Sequence, residues 1–418
     1  PNIEILSRTE VTKIDGEAGA FAATLRSVPT GIKQDLCIGC GLCVQACPVE
    51  VDNDFNEGLV KRKAIFLRNP WQPASSYVID WESCTRCGAC VEKCPTQAID
   101  LNERETEKQV KVGAVILSTG FEEFDPELAG QYGHQRFPNV LTSIEMERIL
   151  SPGGPTEGRL LRRSDQKVPS SVAFLQCVGS RDTKRNYCSS ACCMYAIKEA
   201  ILIKKARPEV DVEVFYMDIR NFGKGYYRYY EQARELGVKF TRSRVPVVKQ
   251  DFKNNDLLIT VAAEDGSLNQ RRFEMLVLSV GQTPSPRFAE LAKSLGLEVN
   301  EWDFCATKEL TPVTAARKGI FVCGSASGPK DIADTLIEAS AAAGQAAQFV
   351  TAAGKAAEPA KAPEQIEEPA IAVFLCACGQ EVSSVVDMGK FTTAAKAMPG
   401  VVHVEEVPFL CKKEACLL

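Results

Sequence analysis

The sequence predicts an α/β protein interrupted by a small, cysteine-rich α+β unit. Three observations predict it. Apolar runs that end in glycine recur at 112–120, 273–281 and 319–325, as buried strands feeding glycine turns do. A strand–helix–strand unit is readable across 171–217. One cysteine run occurs twice, at 37–48 and 84–95.

The 418 residues suffice for two to four domains at roughly 100–200 residues each. Apolar residues make up 45% and charged residues 25%, which excludes a wholly disordered, collagen-like or coiled-coil chain. Against 54 acidic residues stand 49 Lys and Arg, a net charge of −5 without the basic excess of a nucleic-acid binder. No apolar run reaches the ~20 residues of a membrane span. The opening PNIEILSRTEV has no basic-then-apolar signal. It lacks Met and reads as the end of a strand, so a fragment is expected. The outlier is cysteine, with 18 copies. Clustered cysteines without an export signal read as metal ligands or redox groups rather than structural bridges. With only His134 and His403 present, thiolate is the expected ligand.

The doubled run is C-x₂-C-x₂-C-x₃-C-P, the spacing of bacterial two-cluster ferredoxins. It comprises Cys37, Cys40, Cys43, Cys47 and Pro48, then Cys84, Cys87, Cys90, Cys94 and Pro95. A tight loop wraps three thiolates around one cubane, and the fourth points to the other. Cys37, Cys40, Cys43 and Cys94 are therefore expected on one [4Fe–4S] cluster, and Cys84, Cys87, Cys90 and Cys47 on a second. Gly41 and Gly88 let the backbone close over the sulfides, and Pro48 and Pro95 turn the chain away. Two structural zinc sites are the other reading. The 36-residue link (48–83) carries an excursion with Trp71 and Trp81.

In the strand–helix–strand unit the first strand is 171–177, the helix about 189–206 and the return strand 210–218. Cys193, Ile197, Ala200 and Ile201 share one helix face. The first turn of such a unit is ordinarily glycine-rich and cradles a dinucleotide. Here it reads CVGSRDTKRNYCSSACC. Cys177, Cys188, Cys192 and Cys193 occupy the pyrophosphate position, which points to a third [4Fe–4S] cluster. A zinc site or a dithiol/disulfide pair is the alternative. Adjacent Cys192 and Cys193 point about 100° apart on a helix, so the first turn must bend around the metal.

The run 112–120 ends in Ser118, Thr119 and Gly120, the run 273–281 in Gly281, and the run 319–325 passes Gly324 and Ser325. A long helix follows from about Asp331, just after Lys330. Such junctions place backbone N–H groups where a phosphate or flavin binds. Their order resembles FAD-dependent disulfide-reductase-like flavoproteins. The fold this implies is a thioredoxin-reductase-like flavoprotein of two dinucleotide domains with an inserted two-cluster bacterial ferredoxin domain. The first motif of that family, G-x-G-x-x-G after a strand, occurs nowhere in the 418 residues.

The doubled ferredoxin run, QCVGSRD…YCSSACCMYAIKEA, FYMDIRNFGKGYYRYYEQARELGVKF and GSASGPKDIADT together resemble the A-subunit family of heterodisulfide reductases over about 1–350. The resemblance implies an FAD-containing, cluster-rich electron-transfer subunit of cytoplasmic, anaerobic, hetero-oligomeric complexes, partnered by other subunits, ferredoxin or other redox proteins. In several members the flavin bifurcates electron pairs. The flavin would bind around Ser118, Thr119, Gly120, Gly281, Gly324, Ser325, Lys330 and Asp331. Lys198 would face the isoalloxazine as a stabilising cation, with Glu145 or Glu147 nearby. Without the resemblance, Lys198 reads equally as a solvated helix lysine.

The expected segments are the end of a flavin-domain segment (1–30), the ferredoxin insert (31–104), a flavin-domain crossover (105–165), the second Rossmann-like domain (166–285), a flavin-domain return (286–352), a linker (353–369) and the start of a second-copy N-terminal domain (370–418). The linker is rich in Ala, Pro and Glu. Cys376, Cys378, Cys411 and Cys416 are candidates for a fourth cluster or buried free thiols. Cys305 and Cys323 read as core cysteines. The rival functions are a stand-alone NAD(P)H-dependent flavin oxidoreductase and a non-catalytic cluster-carrying scaffold.

Overall fold

The computed structural model describes residues 3–68, 77–262, 266–350, 371–377 and 382–408. Trp71, the linker, Cys378, Cys411 and Cys416 lie outside them.

An antiparallel sheet of Thr9–Glu17, Ala20–Ser27 and Thr106–Val112 opens the frame. Ser27 pairs with Thr106, so the chain leaves for the cysteine-rich insert and returns beside its own point of departure. An insert between two paired strand ends disturbs the sheet little.

Inside the insert, helices Leu42–Ala46 and Ala89–Lys93 are related by the sequence repeat. Each follows a glycine in the left-handed region (Gly41 φ 73°, Gly88 φ 82°) and ends at a cysteine in extended conformation, Cys47 or Cys94. The hairpins Glu50–Asp52/Lys61–Lys63 and Ile65–Phe66/Val78–Ile79 complete the unit. Its core joins Ile32, Ile65, Ile79, Ala98 and Ile99 to the cysteines themselves. Trp81 anchors the excursion, its Nε1–H donating to the Pro29 carbonyl at 2.8 Å.

The run 112–120 is not one strand. Thr106–Val112 stays in the antiparallel sheet, while Val115–Leu117 pairs in parallel with Ile320–Val322. The switch falls at Gly113, where a Cβ would come within 2.7 Å of the Phe349 carbonyl of the long helix. Apolar periodicity sees the burial of both pieces but not the change of sheet.

The second unit is a five-stranded parallel sheet in the order Val140–Thr142, Met275–Val280, Ser171–Val178, Asp211–Tyr216, Lys239–Arg242. Val172, Ala173, Phe174, Leu276, Val277 and Leu278 are completely buried, as expected of parallel strands covered on both faces. Helices Ser143–Leu150, Cys192–Ala206 and Tyr226–Glu235 pack with Val172, Phe174 and Val277 in one core. A three-stranded antiparallel sheet, Val248–Asp251, Asp256–Ala262 and Leu268–Phe273, shares the other core with Ala173, Leu276 and Leu278. The middle helix begins at Cys192 rather than near 189, because Ser190 sits at φ 62° and breaks the helical run.

The long helix spans Ile332–Val350 and buries Ala342 and Ala346. After the linker, Ile371–Cys376 and Val401–Val407 pair in parallel around helix Met388–Lys396. The α/β frame with its α+β insert is thus the fold class read from the sequence. Among the described residues no helix is long and apolar enough to cross a membrane.

Candidate redox sites and the cleft they border

Two cavities lie within the insert. One is lined by Cys37, Cys40, Cys43 and Cys94. The other is lined by Cys47, Cys84, Cys87 and Cys90. These are the crossed sets expected from the spacing, each with one thiol donated by the other copy. Cys43 and Cys90 face inward from the short helices and are buried, whereas Cys40 and Cys87 are exposed. Burial pushes the free Cys43 thiol up to about 11, a cost that bonding to iron offsets. Backbone N–H groups reach the sulfurs, from Arg86 to Cys84 at 3.4 Å and from Ala98 to Cys94 at 3.3 Å. Among the described residues no three His, Cys, Asp or Glu side chains are gathered for a single metal ion.

The third group, Cys177, Cys188, Cys192 and Cys193, forms between the strand Ser171–Val178 and the helix Cys192–Ala206. Cys177 (φ 63°), Arg181 (φ 55°) and Ser190 (φ 62°) all adopt the left-handed conformation, which curls the intervening turn back over the helix start. Such backbone is costly for residues with a Cβ and concentrates where a site demands it. Burial, together with the mutual repulsion of the four sulfurs, pushes Cys192 and Cys193 up to about 12. Burial also raises Cys177, against the pull of the Arg181 guanidinium. None of the four is exposed.

Next to this group opens a cleft of about 860 Å³. Its walls include Ser118, Gly120, Lys198, Gly324, Ser325, Lys330 and Asp331, all expected there, while Thr119 and Gly281 are not among them. Gly281 instead abuts the cysteine turn: a Cβ on it would sit 2.8 Å from Ser189 Oγ. Its neighbour Gln282 takes the cleft position and accepts a hydrogen bond from Ser325 Oγ at 3.1 Å. Lys198 Nζ lies 2.5 Å from Glu147 Oε2. Glu145 is placed elsewhere. It closes a capping box with Thr142, pairs with His134 Nε2 at 3.0 Å, and lines a separate acidic cavity. Glu145 is thus engaged in helix capping, whereas Glu147 pairs with Lys198 of the cleft wall.

Sequence reasoning missed Glu338, which fixes the Gly324 turn by accepting from the Gly324 N–H at 2.9 Å and pairing with Lys330 at 2.9 Å. It also missed Tyr226, Tyr229 and Cys323 in the cleft wall. The tyrosine-rich GKGYYRYYEQ run was the signal that pointed there. Cys323 is buried as expected of a core cysteine, yet also borders the cleft. Cys305 is buried in the core alone.

The 4Fe–4S dicluster domain family matches residues 36–99, and a second model of that description matches 83–127. The insert is a [4Fe–4S] dicluster domain. The iron–sulfur A-subunit of the CoB–CoM heterodisulfide reductase of Methanocaldococcus jannaschii is 42% identical over 351 residues, 82% of this chain and 53% of that protein. The A-subunit of the H₂/formate:CoB–CoM heterodisulfide,ferredoxin reductase of Methanococcus maripaludis is 43% identical over 351 residues, with the same coverage of 82% and 53%. Another iron–sulfur A-subunit, from the CoB–CoM heterodisulfide reductase of Methanopyrus kandleri, is 41% identical over 367 residues, 86% of this chain and 56% of its own. Among solved structures, T. acidophilum thioredoxin reductase aligns over 60% of this chain and 68% of its own at 11% identity and a TM-score of 0.39. The chain spans about half the length of the curated relatives it matches. Across the shared region, over four-fifths of its residues, it belongs to the family of heterodisulfide reductase iron–sulfur A-subunits.

Proposed function

We propose that this chain is the electron-transfer part of an iron–sulfur flavoprotein, an oxidoreductase subunit that passes electrons between FAD in the cleft, a third [4Fe–4S] cluster on Cys177, Cys188, Cys192 and Cys193, and the two clusters of the insert. One observation carries the reading. Ala191, Met194 and Tyr195, which flank the paired cysteines, line the same cleft as Lys198 on the next turn of their helix. Cluster and cleft therefore share a wall.

The donor sets suit the groups. Four buried or half-buried thiols behind a left-handed turn match a cubane better than a dinucleotide, whose pyrophosphate needs a glycine turn that this site lacks. In the cleft, Gly324 (φ 67°) presents its backbone closely, a Cβ there meeting Thr335 at 3.1 Å. FAD would supply the exchange between two-electron and one-electron carriers. The residues Ser118, Gly120, Gln282, Gly324 and Ser325 would hold it. Lys198 would place a positive charge beside it, with Glu147 tethering that charge. Lys330 is already committed to Glu338 and the Gly324 carbonyl, so its task is to brace the turn.

The names of the relatives, subunits of reductases that act on a heterodisulfide and, in some, ferredoxin, support a place in a multi-subunit complex of that kind, and bifurcation is the activity to test in it. Iron, sulfide and flavin analysis of anaerobically purified protein, with EPR after stepwise reduction, checks the reading. We expect at least about twelve iron per chain, three clusters of four. About eight iron, the complement of the insert alone, would overturn the third cluster. Rapid bleaching of the flavin by NADH without partners would instead support an NAD(P)H-dependent oxidoreductase.

A further inference from the structure

The third cysteine group carries a charge arrangement that the insert lacks. Arg181 lies in the turn between Cys177 and Cys188, and its backbone N–H is held by the Tyr187 carbonyl at 3.0 Å, one residue before Cys188. Its guanidinium pairs with the Asp218 carboxylate. Asp218 follows the strand Asp211–Tyr216, and its backbone carbonyl lies 3.9 Å from Cys193 Sγ. A second guanidinium, Arg220, meets the same carboxylate through Nε and Nη2, each at 3.2 Å. Arg181 and Asp218 thus border the cysteine group, and Arg220 shares the Asp218 carboxylate. Arg181 is only 24% exposed, which limits screening of its charge by water and salt. In the insert, Arg86 of the Cys84 loop lines the cysteine cavity but faces no carboxylate among its hydrogen-bond partners in the described residues, its guanidinium resting on the Leu101 carbonyl and over the Trp81 ring.

We propose that Arg181 raises the reduction potential of the cluster on Cys177, Cys188, Cys192 and Cys193, and that Asp218 moderates it by sharing that charge. The proposal rests on the third-cluster reading above. Reduction adds one electron to a thiolate-bound, negatively charged cluster and breaks no bond, so a fixed cation a few ångströms away favours the reduced form. Hydrogen bonds and charge around the sulfurs are known levers on such potentials. Arg181 is a positioning residue in this sense: it acts on the cluster through its field and ligates nothing.

The test is an EPR-monitored dithionite titration of the anaerobic full chain, comparing wild type with Arg181→Gln, Arg181→Lys and Asp218→Asn. At the wild-type midpoint of the third cluster, Arg181→Gln is expected to lower the ratio of reduced to oxidised cluster about tenfold, a shift of about 59 mV downward. Arg181→Lys retains most of the wild-type value. Asp218→Asn leaves both guanidinium groups unneutralised and shifts the midpoint upward. The two insert clusters stay where they are in every variant. A third-cluster midpoint unmoved by both Arg181→Gln and Asp218→Asn, with its signal intact, overturns the proposal and leaves the cluster itself standing. Absence of a third signal from the wild-type chain overturns the cluster reading beneath it. Should Arg181→Gln shed the cluster, Asp218→Asn decides, since it alters no residue of the cysteine turn, and an unmoved midpoint there is contradictory.

Discussion

The chain contains two ways of gathering four thiols, and they differ in almost every physical respect. In the insert, each set is assembled from both copies of a repeat, with three cysteines on a glycine-initiated turn and the fourth crossing over. Its sulfurs are met by backbone N–H groups, and one thiol of each set, Cys40 or Cys87, is exposed. In the second unit all four cysteines come from one strand–turn–helix passage, none is exposed, and besides the Ser190 N–H on Cys188 Sγ at 3.4 Å an ion-paired cluster of side chains stands beside them. The repeat supplies its own core from the cysteines. The third group borrows a finished Rossmann sheet and replaces only the turn. A fold that already binds a ligand at the strand-to-helix junction needs few substitutions to bind a different one there.

The difference can be broken experimentally. The largest effect is expected for Cys94→Ala. It lies in the second copy yet should remove the cluster of Cys37, Cys40 and Cys43, costing about four iron and leaving the Cys84 loop filled. Iron counting with EPR checks it, and loss of the Cys84-loop signal instead would refute the crossed sets. Next is chelation. Bathophenanthroline under anaerobic reduction should strip the insert iron, reached through Cys40 and Cys87, several-fold faster than the enclosed group, giving two resolved phases.

Gly281→Ala aims at the third group alone. Its new methyl would press on Ser189 in the cysteine turn, at a cost of about 1–3 kcal/mol from overpacking. Thermal unfolding should register that cost, and iron loss should be confined to the third site. Glu199→Gln is the smallest. Glu199 is 1% exposed, and burial, reinforced by the Glu147 carboxylate and opposed by Lys198, holds its carboxyl well above the usual range. A carboxyl raised on folding contributes stability that is complete below the unfolded value near 4.3 and is lost as pH climbs toward the folded one. The variant should therefore gain on wild type as pH rises from 5 to 8, by about 2–4 °C in Tm for each kcal/mol recovered.

How much of this was legible depended on whether the signal was local. Cysteine spacing is local, so the crossed ligand sets follow from the sequence by themselves. The centre of the parallel sheet was equally plain, because Val172–Leu175 and Met275–Leu278 are continuous apolar runs. What escaped were relations across the chain. Gly113 looks like any strand residue until the Phe349 carbonyl is placed beside it. Glu145 and Glu147 stand two apart on one helix, and only the cap at Thr142 separates their tasks. Glu338 braces a turn fourteen residues away in sequence, a pairing that no spacing rule singles out.

If a nucleotide-binding turn has become a cluster site here, the iron content and EPR spectra of anaerobic wild-type chain and of Cys193→Ala will differ at that site alone. The variant is expected to lose about four iron and one reducible signal while both insert clusters remain. Equal iron in the two proteins, with a single bound zinc or free thiols at Cys177, Cys188 and Cys192, would contradict it.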